Sequence, residues 1–210
     1  MEEPSPPIEL KHKRVIKIKK TVDKNGNIYM ISYKRDGKFH RTNGPALTTF
    51  FQNGAKYSER YYIDGFPENK NGPTVVRYHE NGKIRSKIWR DKNDKCHRED
   101  GPAIENYNTE GQLIFEEWYF NDTRTRNNAP ASIRRNKNGI IIREDYFFNN
   151  KQHRENDLPS SITYDLHGFI KREDWIEGPK HYRADGKPTI VKHLDGGQLT
   201  SEYCPCQNRQ

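Results

Sequence analysis

One spacing constrains this chain more than any other property. Pro45, Pro73, Pro102, Pro130, Pro159 and Pro188 follow one another at steps of 28 or 29 residues. Nine positions after each stands a glycine: Gly54, Gly82, Gly111, Gly139, Gly168 and Gly197. Seven positions after Gly26 and the first five of these comes an aromatic residue: Tyr33, Tyr61, Trp89, Trp118, Tyr146 and Trp175. The last unit slips by one, with Gly196 pointing to Tyr203. A fixed period of this length is the signature of a repeat architecture, in which each unit buries itself against its neighbours.

The unit reads as β-structure. Asn25-Gly26, Asn53-Gly54, Asn81-Gly82 and Asn138-Gly139 supply the two positive φ values of a type I′ hairpin turn. The preceding segments, such as "PTVVRYH", are rich in β-branched and aromatic residues and begin with a proline that cannot donate to a ladder. A second turn is expected at Asp36-Gly37, Asp64-Gly65 and Glu177-Gly178, replaced by Asn121-Asp122 and Asn149-Asn150 in two units. The residue before proline is Gly44, Gly72 or Gly101 in some units but Ala129, Leu158 or Lys187 in others. All of these can adopt the extended backbone that proline imposes on its predecessor, so glycine is optional there.

These patterns predict an all-β, elongated, solenoid-like stack of antiparallel hairpins, with about six repeats and an N-terminal cap. The expected divisions are a tail at 1–9 and a single repeat domain at 10–204. Within it lie a cap at 10–33 and units at 34–61, 62–89, 90–118, 119–146, 147–175 and 176–204, followed by a tail at 205–210. Two strands per unit give an advance of about 10 Å per repeat and a length of roughly 60 Å. Which faces are buried is left open. The apolar column two residues after the turn glycine (Ile28, Ile84, Leu113, Ile141, Ile170, Leu199, with Lys56 as exception) and the aromatic column are an odd number apart. In a regular strand that means opposite faces, so either a bulge intervenes or both faces are partly covered.

Leu, Ile, Val and Phe together make up just under a fifth of the 210 residues, so the core must be thin. The 24 aromatic residues supply much of the contact area. No apolar run approaches the length of a membrane-spanning helix and no secretory signal is visible, which points to an intracellular protein. Cys96, Cys204 and Cys206 form no disulfide framework, as in a reducing compartment. Cys204-Pro205-Cys206 lacks a second ligand pair, and no metal or other cofactor is expected.

The net charge of +8 is concentrated. Lys11, Lys13, Arg14, Lys17, Lys19 and Lys20 lie within "LKHKRVIKIKK" at residues 10–20 without an acid, which leaves +2 for the rest. One reading is a patch for DNA, RNA or an anionic membrane surface, acting through counterion release. The other is a capping strand whose lysines guard an open sheet edge. Lys17 stands nine residues before Gly26, where later units have proline. A nuclear-import signal is a third use of the same residues.

His40-Arg41, His97-Arg98, His153-Arg154 and His181-Tyr182-Arg183 recur with the repeat, with Glu68-Asn69 in the second unit. Catalysis needs one convergent constellation, so these pairs read as loop contacts and no catalytic residue or small-molecule substrate is assigned. The arginines are expected to bridge to the column Glu59, Glu116, Glu144, Glu173 and Glu202, or else to present themselves to a repetitive anionic ligand.

The elements "YIDG", "HREDGPA", a tyrosine, "NG", then Glu and Trp or Tyr resemble the degenerate MORN-type repeats of large DNA viruses, especially marseillevirus-like ones. The resemblance covers about residues 21–203; the unit here is longer and poorer in glycine than usual. It implies hairpins stacked into an elongated sheet, and a scaffold that self-associates or binds proteins or membranes. It also implies an internal virion or virus-factory location, where the basic end would suit packing against viral DNA.

Overall fold

The computed structural model describes residues 15–193 and, for the backbone alone, 199–203. It is all-β, with no helix among the described residues. Lys11, Lys13, Arg14, Gly196, Gly197, Cys204, Cys206 and both expected tails lie outside them.

Each unit contributes a hairpin such as Ser132–Arg135 with Ile141–Asp145, and every hairpin pairs with the next. The product is one antiparallel sheet of fifteen strands laid down in chain order, from Ile16–Val22 to Leu199–Tyr203, with the short Lys38–Phe39 attached to Ile28–Arg35. Fourteen strands side by side span roughly 60 Å.

The turn glycines adopt positive φ as their column requires, for example 82° at Gly139, but the preceding asparagines do not. The turn is therefore not type I′. Gly139 N–H donates to Asn136 O at 3.0 Å and Asn136 N–H donates to Ile140 O, the pattern of a three-residue loop with a left-handed glycine in third place. A side chain three positions before the glycine holds this loop. The Oδ1 of Asp23, Asn108, Asn136 and Asp165 accepts two backbone N–H groups of its own turn. At Asp23 the N–H of Asn27 is the main influence lowering the carboxyl pKa; at Asp165 desolvation opposes, and the N–H groups of Phe169 and His167 prevail.

Type I′ geometry belongs to the second turn. Asp36-Gly37, Asp64-Gly65, Asn121-Asp122 and Asn149-Asn150 all have positive φ at both positions. The last three close short two-stranded hairpins beside the main sheet, such as Tyr119–Phe120 with Thr123–Arg124, while Asp36-Gly37 joins Lys38–Phe39 to Ile28–Arg35 within it. Glu177 lies in a short strand instead of the turn, and the reversal falls on Gly178-Pro179 with Gly178 at φ 60°. The third unit replaces the hairpin by a wider loop closed by a single bridge between Arg90 and Cys96.

The parity conflict is resolved by a bulge in every unit. Arg134 pairs with Arg143 but Arg135 pairs with Ile141, which leaves Ile142 without a partner. The same slip occurs beside Tyr29, Tyr57, Arg85, Ile114, Lys171 and Thr200, always three residues after the turn glycine. The extra residue returns the apolar column to the face that carries the aromatic column. Register also corrects the last aromatic assignment: Tyr203 pairs with Ile190 as Asp174 pairs with Ser161, so Tyr203 holds the place of Asp174, and the aromatic place falls at 204.

The seam between units is the residue after each proline. Its carbonyl accepts the backbone N–H of the preceding aromatic residue, as in Trp89 to Ala103 and Trp118 to Ala131, both at 2.9 Å. Only small residues occur there, and Ala46, Ala103 and Ala131 are fully buried. Ile18, at the equivalent place of the cap, is 61% exposed. Nothing among the described residues precedes it in the stack.

Candidate functional site

The His-Arg pairs lie where each short hairpin returns toward the next proline, and their two members do different work. His40 Nδ1 accepts the N–H of Asp64 at 3.1 Å, and His97 Nδ1 accepts that of Asn121 at 3.3 Å. Each histidine thus satisfies a backbone donor in the type I′ turn of the following unit. Backbone bonds reinforce the junction, with Arg41 N–H donating to Tyr62 O and Gly65 N–H to Phe39 O.

The arginines turn inward onto the aromatic column. The guanidinium carbons of Arg41, Arg98, Arg126, Arg154 and Arg183 lie 3.9–4.1 Å from the ring centroids of Tyr33, Trp89, Trp118, Tyr146 and Trp175. In each case one Nη also donates to the carbonyl of the following proline, at 3.1–3.3 Å. The second unit keeps the hydrogen bond and loses the stack, since Asn69 Nδ2 donates to Pro73 O at 2.7 Å. Cation–π attraction and a charge-assisted hydrogen bond together fix the loop between hairpin and proline. At Gly101 the missing side chain makes room, since a Cβ there would stand 2.8 Å from the Arg98 guanidinium, whereas Ala129 fills the same place before Pro130.

These arginines do not bridge to the glutamate column. Glu59 accepts from Lys56 and from the Tyr78 hydroxyl, Glu144 from the Tyr164 hydroxyl, and Glu173 faces His193 Nε2 at 3.0 Å. Glu116 pairs with Arg135. In all four one partner (Tyr78, Arg135, Tyr164 or His193) is five residues after the next proline, on the adjacent strand, so the column fastens units across the sheet. Glu202 is described for its backbone alone.

On the opposite face Glu117 pairs with Arg124 at 3.0 Å and Asp145 accepts from Gln152 at 3.2 Å, tying the main sheet to the short hairpins. Burial pushes the Glu117 carboxyl up despite Arg124. At the Tyr78 hydroxyl, burial and the bond to Glu59 hold the proton firmly, and burial and Glu144 do the same at Tyr164.

Concave surface recurs with the repeat. One cleft of about 440 Å³ lies between the loops at Arg126 and Arg154, and one of about 760 Å³ between those at Arg41 and Asn69. A third, of about 520 Å³, lies at the cap, where Lys17, Lys19 and Lys34 converge with Asp36. Lys17 is directly across the ladder from Lys34, and Lys19 is two residues further along the same face. Lys20 projects from the other face, level with Ile31. All three lysines of the first strand are exposed.

Exposed aromatic side chains mark the short hairpins: Phe66, Phe120 and Phe148 are each at least half exposed. The residue signals noted in the sequence did not single them out, because they do not share one repeat position. Cys96 is a half-buried free thiol whose pKa is raised mainly by burial. No group of three or more histidine, cysteine or acidic side chains is arranged to hold a metal among the described residues. No helix there is long and apolar enough to cross a membrane. No known protein-family pattern matches the chain, and no curated protein matches it.

Proposed function

We propose that the chain is a MORN-type, non-enzymatic repeat scaffold that binds protein partners through its short-hairpin flank. What carries this reading is the division of labour within the unit. The recurring prolines, aromatics and arginines, with His40, His97 and Glu59, Glu116, Glu144 and Glu173, are engaged in contacts between or within units, while Phe66 and Phe120 stay half exposed beside them. Exposed aromatic side chains recurring along the short hairpins of a repeat array offer a partner contacts on successive units. An internal virion or virus-factory location rests on the MORN-type resemblance. The test is to mix the purified chain with virion or host extract and isolate complexes of fixed stoichiometry. A complex lost in a Phe66→Ser/Phe120→Ser variant with unchanged thermal midpoint supports the reading. A complex unaffected by both changes overturns it.

A second reading, sequence-independent binding of DNA, RNA or an anionic membrane surface at the cap, is favoured by the juxtaposition of Lys17 and Lys34. Like charges directly opposite in a sheet are destabilising, and a polyanion would offset that cost. Replacing Lys17, Lys19 and Lys34 by Gln should lower the slope of log affinity against log salt by about 3 if each contacts one phosphate. An unchanged slope excludes these residues.

A further inference from the structure

The arginine column is compensated unevenly. In two units the residue two places after arginine is aspartate, and it pairs with the guanidinium: Asp100 with Arg98 at 2.8 Å and Asp185 with Arg183 at 2.9 Å. The corresponding residues after Arg41, Arg126 and Arg154 are Asn43, Asn128 and Asn156. None of these three arginines has an acid partner among the described residues. The one aspartate in the loop after Arg154 is committed elsewhere: Asp157 accepts from Ala184 N–H at 3.1 Å and lies 4.0 Å from Arg183.

Arg126 and Arg154 belong to adjacent units and together line one cleft, that of about 440 Å³. Asn128 and Asn156 line it as well, with His153 beside them, and Glu155 on the exposed loop is the one acid in its wall. Each guanidinium is held on its ring at 3.9 Å, so the two positive charges are fixed before any ligand arrives. A volume of this size is that of a small-molecule site.

We propose that this cleft binds a nucleoside diphosphate. Two strand spacings separate equivalent atoms of adjacent units, roughly 10 Å. Charge-assisted N–H···O bonds of about 2.8 Å let one arginine reach each end of a diphosphate across that gap, whereas a single phosphate reaches only one. Phe148, 55% exposed in the cleft wall, offers a free surface on which a base can stack. The neighbouring Phe147 ring is already covered by Arg124 at 4.5 Å. The inference does not rest on the scaffold reading, since it concerns the charge balance of two loops.

The test measures binding of pyrophosphate, ADP and orthophosphate to the full chain by calorimetry. The chain is used both unaltered and with Lys17, Lys19 and Lys34 changed to Gln, which removes the cap as a competing anion site. Pyrophosphate should bind at least tenfold more tightly than orthophosphate in both, and ADP more tightly than pyrophosphate. The arginines support their loops, so the site is altered instead by Asn128→Asp with Asn156→Asp. Both asparagines are left-handed, at φ 54° and 60°, a conformation that Asp94 and Asp122 adopt in the same chain. This variant should keep its thermal midpoint and lose at least tenfold in pyrophosphate affinity. Phe148→Ala should weaken ADP and leave pyrophosphate unchanged. Undiminished binding by the double aspartate variant, or orthophosphate binding equal to pyrophosphate, overturns the proposal.

Discussion

At the level of single residues, the repeat contains its own mutational comparison. Five units place an arginine over the recurring aromatic ring and onto the proline carbonyl, and one unit achieves the carbonyl contact alone with Asn69. The two contributions are therefore separable at Arg98. Arg98→Asn should retain a donor to Pro102 O and lose the stack on Trp89 together with the contacts to Asp100 and Glu105, for a cost of about 1–2 kcal/mol. Arg98→Ala also leaves that carbonyl without its side-chain donor, and should cost about 2–3 kcal/mol. Urea unfolding of the two variants measures the difference. Equal costs would mean that the hydrogen bond to proline contributes nothing.

At the level of the element, period and strand character were legible because proline and glycine have narrow backbone roles that a sequence displays directly. The turn type was not. Asn-Gly fits both a two-residue type I′ turn and the last two residues of a three-residue loop. The discriminating residue sits three places before the glycine, where Asp23, Asn108, Asn136 and Asp165 accept the turn's N–H groups. That column was visible at a fixed distance from the glycine, though Phe51 and His79 interrupt it. The bulge was foreshadowed by the odd spacing between Ile141 and Tyr146, but its place beside Ile142 depended on pairing. The arginines were found and misassigned for a similar reason. A glutamate column at matching period looks like their partner, yet strand alternation sends it to the next strand, as with Glu144 and Tyr164, while the loop folds Arg154 back onto Tyr146. The cleft proposed to bind an anion depends on asparagine standing where two other units have aspartate. That difference was readable in the sequence only once the salt bridges of Asp100 and Asp185 gave it meaning.

At the level of the whole molecule, contacts between elements run from each hairpin to its neighbours along one sheet, so stability is passed from unit to unit and not gathered in one core. Among the described residues the strand Ile16–Val22 has a neighbour on one side, carries exposed Ile18, and has lysine where later units have proline. It lacks the buried small residue that seals every internal junction. Interior seams such as Trp89 to Ala103 and Trp118 to Ala131 are flanked by units on both sides. An opening that starts at the cap severs one interface, whereas an opening at the middle severs two. Native-state hydrogen exchange should therefore show a gradient. The amides of Trp89 and Trp118 should exchange at least a hundredfold more slowly than those of the paired residues of Ile16–Val22, with intermediate rates between. Exchange at one common rate across all units would show instead that the array opens as a single cooperative block, and that junction strength exceeds the intrinsic cost of ordering a unit.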